Sequence, residues 1–195
     1  MKILLISAAV ILALVGLITL FFSFKSKDIE TPKYKLIKTI DGIEIRQYPK
    51  MLVAQTNMAD SSMDKNMNSG FRTIAGYIFG GNERNQKIAM TAPVVFKMGD
   101  TASMYFVMPS KYKKEDLPNP NSTQVKIMEE REKVLAVITY SGFSSPKLVE
   151  KHQQKLMAVL QQNQIKTIGS YLYMGYNAPW DFVNRRNEVA IEVVL

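Results

Sequence analysis

Hydrophobic and polar residues alternate along several short segments of the chain, as expected of β-strands that bury one face. The segment 43–47 is the clearest, because its isoleucines alternate with Glu44 and Arg46 directly after an Asp-Gly turn. Patterns of this kind predict strands at residues 34–39, 43–47, 51–57, 87–90, 94–98, 103–108, 124–129, 133–141, 171–176 and 188–194. The proline-rich segment 109–123 predicts an irregular loop.

Two longer segments carry apolar residues at the spacing of an α-helix. Ser61 and Ser62 open the first helix, and Gly80-Gly81 ends it, since glycine readily adopts the left-handed conformation of a helix terminus. Its apolar stripe consists of Met63, Met67, Phe71, Ile74 and Ile78. Ser145-Pro146 opens the second helix, with proline at the tolerated first position. Its stripe consists of Leu148, His152, Leu156, Val159 and Leu160.

The order strand–strand–helix–strand–strand occurs twice in the chain. Residues 50–54 resemble residues 133–137, and the serine pair at 61–62 resembles that at 144–145, with the same separation along the chain in both cases. Neither half can bury a sheet face and a helix stripe alone, so the two should pair about a pseudo-twofold axis. The sequence therefore predicts an α+β fold, a closed or nearly closed, twisted antiparallel β-barrel of two repeats with two packed helices, which removes exposed strand edges.

The N-terminal segment predicts a membrane anchor. No charged residue occurs from Ile3 to Phe24, a length that matches the roughly 20 residues of a membrane-spanning helix. This apolar run exceeds the roughly 7–15 residues usual for a cleaved signal peptide, and it lacks a small-x-small cleavage site. Residues 1–24 are therefore interpreted as a transmembrane anchor or uncleaved signal, 25–33 as a linker and 34–195 as one domain. Such a leader favours a domain on the extracytoplasmic side of the cytoplasmic membrane.

Composition narrows the chemistry of the protein. The chain has no cysteine, which excludes disulfides, iron–sulfur clusters, thiolate zinc sites and a cysteine nucleophile. With a single histidine, His152, it cannot build a multi-histidine metal site. The formal net charge of +8 is spread along the chain without a basic helix or an aromatic-lined basic groove, so nucleic-acid binding is disfavoured. Neither a phosphate-binding glycine loop nor a nucleophile elbow occurs, and no catalytic residue is predicted.

A few residues allow two interpretations. His152 lies on an apolar helix stripe, where a packed core histidine is the commoner case, but its imidazole would also suit iron in a porphyrin. The thioethers of Met63 and Met67 could ligate the same iron, although methionine more often fills irregular cores. Arg185 and Arg186 could pair with acidic ligand groups or lie in a solvated turn. The residues alone leave these alternatives open.

Four stretches together resemble the SOUL family of heme-binding proteins. They occur in the family order and cover nearly all of the chain after the anchor. The stretches are Ile43-Glu-Ile-Arg-Gln-Tyr48, Asn82–Val94 with its Met-Thr-Ala-Pro-Val run, Gly142-Phe-Ser-Ser145, and Gly175-Tyr-Asn-Ala-Pro179 with Arg185-Arg-Asn-Glu-Val189. The resemblance implies a barrel of two repeats with a helix packed on each. It also implies non-covalent binding of heme or a related tetrapyrrole in a mostly apolar cleft beside the first helix.

One position departs from the family pattern. Some animal members carry a histidine, proposed as an axial heme ligand, where this chain has Gln47, and glutamine is a poor iron ligand. The resemblance to other members, which bind without this histidine, implies hydrophobic contact with the porphyrin and contacts between basic side chains and its propionates. Arg72 and Arg185 are the candidates for these basic contacts here. The residues and the resemblance together predict a cofactor site formed by Met63, Met67, Phe71, Arg72, His152, Met174, Tyr176 and Arg185, with His152 as the candidate axial ligand of the metal.

These expectations lead to three functional hypotheses. The first is a non-catalytic carrier, buffer or sensor that binds heme or another tetrapyrrole at the membrane. The second follows from a resemblance of the twofold barrel to the gyrase-inhibitor-like effector-binding fold, whose members bind small molecules and in a few cases hydrolyse them. An enzyme of this kind would need a pocket acid such as Glu188 or Glu192. The third is a structural partner protein at the membrane.

Overall fold

We describe the fold from a computed structural model, which defines residues 29–58, 62–99, 101–178 and 180–194. Within these residues the strands are β1 Lys35–Ile40, β2 Ile43–Tyr48, β3 Met51–Asn57, β4 Val94–Lys97, β5 Ser103–Val107, β6 Lys126–Glu130, β7 Lys133–Ser141, β8 Lys166–Gly175 and β9 Arg186–Val194. The helices are α1 Met63–Ile78 and α2 Pro146–Gln162, with a short 3₁₀ turn at Lys114–Asp116.

All of these strands belong to one antiparallel sheet, in the order β1-β2-β7-β9-β8-β4-β5-β3-β6. β4 pairs with β8 near the centre, and the two sides of this pair match strand for strand. The order confirms the two pseudo-twofold repeats, because β2, β7, β9 and β8 correspond to β6, β3, β5 and β4. The first strand of each repeat pairs with a strand of the other repeat. β2 of the first repeat pairs with β7 of the second, and β6 of the second pairs with β3 of the first.

The structure corrects the predicted closed or nearly closed barrel, because the antiparallel sheet curls only into a half-barrel and stays open. β1 and β6 are its edge strands, and each is hydrogen-bonded to one neighbour within the described residues. Exposed lysines occupy both edges, Lys35 and Lys38 in β1 and Lys126 in β6. Charged side chains at an edge discourage further strand pairing, so these edges are protected without closure.

The sheet buries side chains on both of its faces. Both helices pack on one face, here called the helix face, where α1 covers β3 and β5 and α2 covers β7, β8 and β9. Neither helix covers the opposite face, here called the inner face, yet Val53, Tyr105 and Glu188 are buried there. Burial without a covering layer requires the sheet to curl around this face, which the natural twist of β-strands permits.

Both helices begin and end close to the predicted residues. Ser145 caps α2, because its Oγ accepts a hydrogen bond from the backbone N of Leu148 at 3.3 Å, and Pro146 occupies the first turn. α1 starts after Ser62 and ends before Gly80, whose φ of 115° favours glycine; Ser61 lies outside the described residues. The apolar stripes pack on the helix face, where each fully buried leucine or isoleucine contributes roughly 1.5–3 kcal/mol.

Two of the local predictions from the sequence are wrong. The strand predicted at 87–90 is irregular, because the backbone N of Ile88 donates to the carbonyl oxygen of Ile78 at 2.8 Å instead of joining a ladder. β8 starts before residue 171, since its first residues pair with the end of β9 across an irregular register.

Among the described residues no helix has the length and apolar character needed to cross a membrane. The anchor predicted at 1–24 lies outside them.

Candidate functional site

Three of the predicted site residues lie together on α1. Met63, Met67 and Phe71 follow one another at four-residue spacing, which places them on one side of the helix. All three are only partly buried where they pack against the core. The Phe71 ring lies 5.4 Å from the ring of Phe106 in β5, in a tilted arrangement that favours aromatic contact. This side of α1 is therefore apolar and still partly accessible.

A cleft separates the first turns of α1 and α2 on the helix face. Its volume is about 280 Å³, and the residues that line it are Ser62, Met63, Met98, Pro146, Val149, Glu150 and Gln153. The Nε2 atom of Gln153 lies 3.2 Å from the Met98 sulfur, so an amide–sulfur contact joins α2 to the chain after β4. We call this space the interhelical cleft. Sequence analysis identified Met63 but missed Met98, Val149 and Gln153, which reach the cleft only through the packing of α2.

A second depression, of about 430 Å³, flanks the other side of α1. Its lining is mostly polar, with Ser69 and Thr73 of α1 opposite Gln55 of β3 and Gln124 before β6. This polar groove is larger than the interhelical cleft, but its hydroxyl and amide groups would lose hydration against the face of an apolar ring. Of these two spaces, the interhelical cleft is the better suited to an apolar ligand by its chemistry, although it is the smaller.

His152 lies on a different flank of α2. Its ring stacks on Tyr140 of β7 with centroids 4.0 Å apart, and its Nδ1 lies 2.7 Å from the carbonyl oxygen of Leu148. Because a carbonyl only accepts, Nδ1 donates in this contact, so Nε2 is the ring nitrogen that could bind a metal. The neighbouring Gln153, not His152, lines the interhelical cleft. The structure does not bring His152 and Met63 together, and axial ligation by His152 stays a prediction.

The two arginines predicted to meet propionates lie in different settings. Arg72 is exposed on α1, next to Phe71 in the chain. Arg185 is half-buried in the loop before β9, where its Nη1 donates to the carbonyl oxygens of Ala178 and Asp181 at 3.0 and 2.6 Å. Arg72 is thus accessible to a ligand on α1, whereas Arg185 is engaged in holding its own loop.

Met174 and Tyr176 lie on the inner face, across the sheet from α1. Met174 is buried among the apolar side chains of that face, and the Tyr176 hydroxyl donates to Glu188 Oε2 at 2.7 Å. The sheet separates both from Met63 and Met67, so the predicted residues do not form a single site. Within the described parts of the chain, no three histidine, cysteine or carboxylate side chains cluster as a multi-ligand metal site would require.

The inner face carries a buried ion cluster around Glu188. Nη1 and Nη2 of Arg46 lie 3.0–3.1 Å from its carboxylate oxygens, and Nε and Nη2 of Arg186 lie 3.0 and 2.6 Å from Oε1. The hydroxyls of Thr139 and Tyr176 donate to it as well. A buried charge needs such partners, because its desolvation costs on the order of several kcal/mol. Glu188 therefore acts as a paired structural acceptor rather than as the free acid that a hydrolase would need.

Electrostatics in this cluster keep its phenols protonated. Burial raises the pKa of Tyr176 well above its ordinary value, and the Glu188 carboxylate raises it further. Burial also raises the pKa of Tyr48, against the opposing effect of Arg46. For Arg46 itself burial lowers the pKa, but Glu188 and then Tyr48 raise it, and the net result lies above its ordinary value. Sequence analysis missed this role of Arg46, whose partner is 142 residues away along the chain.

The family is decided by a match over most of the chain. The sequence profile of the SOUL heme-binding protein family matches residues 29–192. The chain belongs to the SOUL heme-binding protein family. The match begins after the predicted anchor and covers both strand–strand–helix–strand–strand repeats.

Named relatives of this SOUL protein are similar over most of their length. Heme-binding protein 2 of Mus musculus is 28% identical over 177 residues, which cover 83% of this chain and 84% of the relative. Heme-binding protein 2 of Homo sapiens is 29% identical over 174 residues, with the same two coverages. Heme-binding protein 1 of Xenopus laevis is 27% identical over 160 residues, which cover 76% of this chain and 83% of the relative.

Solved structures share the fold of this SOUL domain at low sequence identity. The C-terminal domain of EcmrR superimposes with a TM-score of 0.62 at 10% identity, covering 83% of this chain and 98% of that domain. A hydrolase from Listeria innocua superimposes with a TM-score of 0.57 at 9% identity, covering 89% of this chain and 98% of the hydrolase. Likeness at such identities shows the fold alone.

Residues that carry the SOUL pattern hold loops in place. The buried side chain of Asn82 donates through Nδ2 to the carbonyl oxygens of Tyr77 at 3.0 Å and Gln86 at 2.8 Å. The Thr91 hydroxyl donates to the carbonyl oxygen of Val107 at 2.6 Å. Buried backbone groups outside helices and strands need such partners. These SOUL residues therefore fix the path from α1 to β4 rather than line the interhelical cleft.

Proposed function

We propose that this protein binds heme or a related tetrapyrrole non-covalently in the interhelical cleft, as a non-catalytic carrier, buffer or sensor at the membrane. One observation carries the proposal: α1 presents a partly exposed apolar side beside an open cleft that Met98 and Val149 also line. Membership of the SOUL family and the names of its relatives support the same ligand class. The membrane location is supported by the uncharged segment from Ile3 to Phe24.

The chemistry of the cleft suits the face of a porphyrin. Methionine side chains are flexible and polarizable, so Met63 and Met98 can adapt to a flat ring. The volume of about 280 Å³ lies just below the range of roughly 300–1,000 Å³ typical of ligand sites, so the cleft would enclose only part of a porphyrin. The ring edge with the propionates would therefore remain in water, outside the cleft.

Face contact does not require iron, which gives the proposal a specific consequence. If apolar packing dominates, iron-free protoporphyrin should bind within about threefold of the affinity of heme, a difference of less than about 1 kcal/mol. Fluorescence of the porphyrin and Soret absorbance of heme, titrated with the full chain in a mild non-ionic detergent, measure the two affinities. Detergent without protein is the blank. A tenfold or greater preference for heme would instead indicate iron ligation by a side chain.

Two substitutions on α1 test the location of the site. Met63→Glu places a carboxylate on the apolar side of the helix, in the lining of the interhelical cleft, and should weaken heme binding at least tenfold, because a charge against a porphyrin face loses hydration. Ser69→Glu is the matched control, since Ser69 lies in the polar groove on the other side of α1. Circular dichroism should show that both variants stay folded. Equal affinities of the two variants would exclude the interhelical cleft.

His152→Ala tests the competing site on α2. His152 stacks on Tyr140 away from the interhelical cleft, so its removal should leave the Soret maximum and the heme affinity unchanged. A shifted Soret band in a folded His152→Ala protein would identify His152 as an axial ligand and move the site to the β7 flank of α2.

The alternative function, a hydrolase, has less support, because Glu188 is already paired with two arginines.

A further inference from the structure

The loop between β8 and β9 directs large apolar side chains to the solvent. Trp180, Phe182 and Val183 are 59%, 64% and 68% exposed, and Phe143 from the loop after β7 is 57% exposed. The rings of Phe143 and Phe182 lie 6.1 Å apart, so the two loops form one surface. We call these four residues the aromatic patch. Clustered exposed apolar side chains of this kind mark interaction sites, unlike single exposed ones.

The polar groups of the same loop point inward. Asp181 is buried, and its Oδ2 accepts from the backbone N of Ala178 at 3.1 Å. Nη1 of Arg185 donates to the carbonyl oxygens of both residues, and its guanidinium lies 4.6 Å from the centroid of the Phe143 ring. Asp181 is the only acidic residue from 176 to 185. The loop is therefore held with its carboxylate inside and its aromatic rings outside, the reverse of an ordinary surface loop.

The patch lies at the end of the sheet where the described chain enters the domain. The last residues of β7 and β8 and the first residues of β9 and β4 lie together at this end. The strand pairings that show this are Ser141–Arg186, Gly175–Asn187 and Val94–Gly175. Glu30 joins the same end, because it bridges to Thr91 and its carbonyl oxygen accepts from the backbone N of Ala92 at 2.9 Å.

Chain length then limits the distance of this end from a bilayer. The uncharged segment ends at Phe24, and the few residues from there to Glu30 can span at most about 20 Å at roughly 3.3–3.6 Å each. If the segment from Ile3 to Phe24 crosses a membrane, Glu30 lies within that distance of the headgroups, at the same end of the sheet as the aromatic patch.

Basic residues at the same end complement an anionic lipid surface. The backbone N of Ser110, after β5, donates to Glu30 Oε1 at 2.8 Å, which places the following loop beside the entry point. That loop exposes Lys111, Lys113 and Lys114 together with Glu115 and Asp116, so its net charge is slightly positive, 3 − 2 = +1. Each basic side chain near an anionic leaflet adds roughly 1 kcal/mol of attraction.

We propose that the aromatic patch is a membrane-docking surface that inserts Trp180 and Phe182 into the headgroup–acyl boundary of an anionic bilayer. Tryptophan and phenylalanine favour this boundary because their rings are apolar and polarizable, and the lysines of the neighbouring loop can reach the phosphates. The docked loop fixes the orientation of the domain relative to the lipid. The inference rests on the membrane location in the proposed function, but not on heme binding, so a failed heme titration leaves it untouched.

Trp180 is the only tryptophan in the chain, so its fluorescence reports on the patch alone. The full chain is reconstituted without heme into vesicles of phosphatidylcholine mixed with anionic phosphatidylglycerol, with and without lipids brominated near the headgroup end of the acyl chains. We expect a blue-shifted emission and at least twofold quenching by brominated lipid. The control carries Trp180→Phe and Ile168→Trp, because Ile168 is 43% exposed near the opposite end of β8. The relocated tryptophan should be quenched by iodide and not by brominated lipid.

A second variant separates docking by the loop from anchoring by the N-terminal segment. Phe182→Ser with Val183→Ser should leave the protein in the vesicle fraction but lower the lipid quenching of Trp180 at least twofold and increase its quenching by iodide. The inference is overturned if unmodified Trp180 is as accessible to iodide as the relocated tryptophan, which would make a protein partner the better occupant. It is also overturned if the full chain does not sediment with the vesicles.

Discussion

Glu188 is a buried carboxylate on the inner face, and its neighbours determine how much its burial costs in stability. Arg46 and Arg186 both contact it, and Arg46 also bonds to Glu44 at 2.7 Å. The Tyr34 ring lies 4.5 Å from the guanidinium of Arg46 and adds a cation–π contact. The residues of this cluster come from β2, β7, β9 and their flanks, so it joins the first repeat to the second.

Glu188→Gln should therefore lower the free energy of unfolding by roughly 3–5 kcal/mol, because it leaves the buried Arg46 without its main counter-charge. Glu192→Gln is the matched control on the same face of β9, where Glu192 pairs with the exposed Arg131 at 2.6 Å. A surface pair of this kind contributes about 1 kcal/mol or less. Urea unfolding of the full chain in detergent, followed by circular dichroism, measures both. Similar losses in the two variants would contradict a special role for Glu188.

At the scale of elements, the end of α1 shows how close backbone packing selects glycine. The backbone N of Gly81 donates to the carbonyl oxygen of Gly76 at 2.8 Å, and a Cβ on Gly81 would lie 2.6 Å from that oxygen. A Cβ on Gly76 would meet no heavy atom within 4 Å, since Gly76 lies on the exposed side of the helix. Two glycines of the same helix end therefore have opposite tolerances.

Gly76→Ala should raise the free energy of unfolding by roughly 0.5–1 kcal/mol, because alanine loses less backbone entropy in a helix. Gly81→Ala should lower it by roughly 1–3 kcal/mol, as expected of an overpacked site. Thermal unfolding by circular dichroism compares the two directly. A stabilised Gly81→Ala protein would mean that the end of α1 relaxes more easily than the contact with Gly76 suggests.

The whole molecule buries many of its phenols. Burial is the largest cause of a raised pKa for seven tyrosines, which are Tyr48, Tyr77, Tyr105, Tyr140, Tyr171, Tyr173 and Tyr176. It raises the pKa of Tyr77 from 10.0 to about 12, and the hydroxyl of Tyr77 donates to the carbonyl oxygen of Pro118 at 3.0 Å. Burial raises the pKa of Tyr140 to about 12 as well.

Stability should therefore fall in alkaline solution. The unfolded chain ionises its phenols near pH 10, while the folded chain keeps Tyr77 and Tyr140 neutral to a pKa of about 12. Their contribution is fully present below pH 10 and is lost as the pH rises from 10 towards 12, at up to roughly 1.4 kcal/mol per pH unit for Tyr77. Urea midpoints at pH 8 to 11 measure this loss, and Tyr77→Phe should reduce its slope. A flat profile would show that the phenols ionise without unfolding.

Local patterns along the sequence were enough to predict the helices, most of the strands, the order of the sheet and the family. Periodicity located both helices and most strands, because burial of one face repeats every two or 3.6 residues in any sheet or helix. The serine cap of α2 and the glycine end of α1 depend on near neighbours only. The constant separation between the two sets of similar residues predicted the twofold order of the sheet. The four SOUL stretches indicated the family, which the profile match then confirmed.

Only the tertiary structure determines the contact partners of each side chain. The sequence pattern marks a residue as inward or outward on its own element, but it carries no information on which distant strand lies opposite. Strand order and register paired Arg46 with Glu188, placed Met174 across the sheet from Met63, and turned His152 towards Tyr140. The half-barrel stays open with lysines on both edge strands, and the β8–β9 loop buries Asp181 while its aromatic rings face the solvent. These outcomes depend on long-range packing, which local periodicity does not encode.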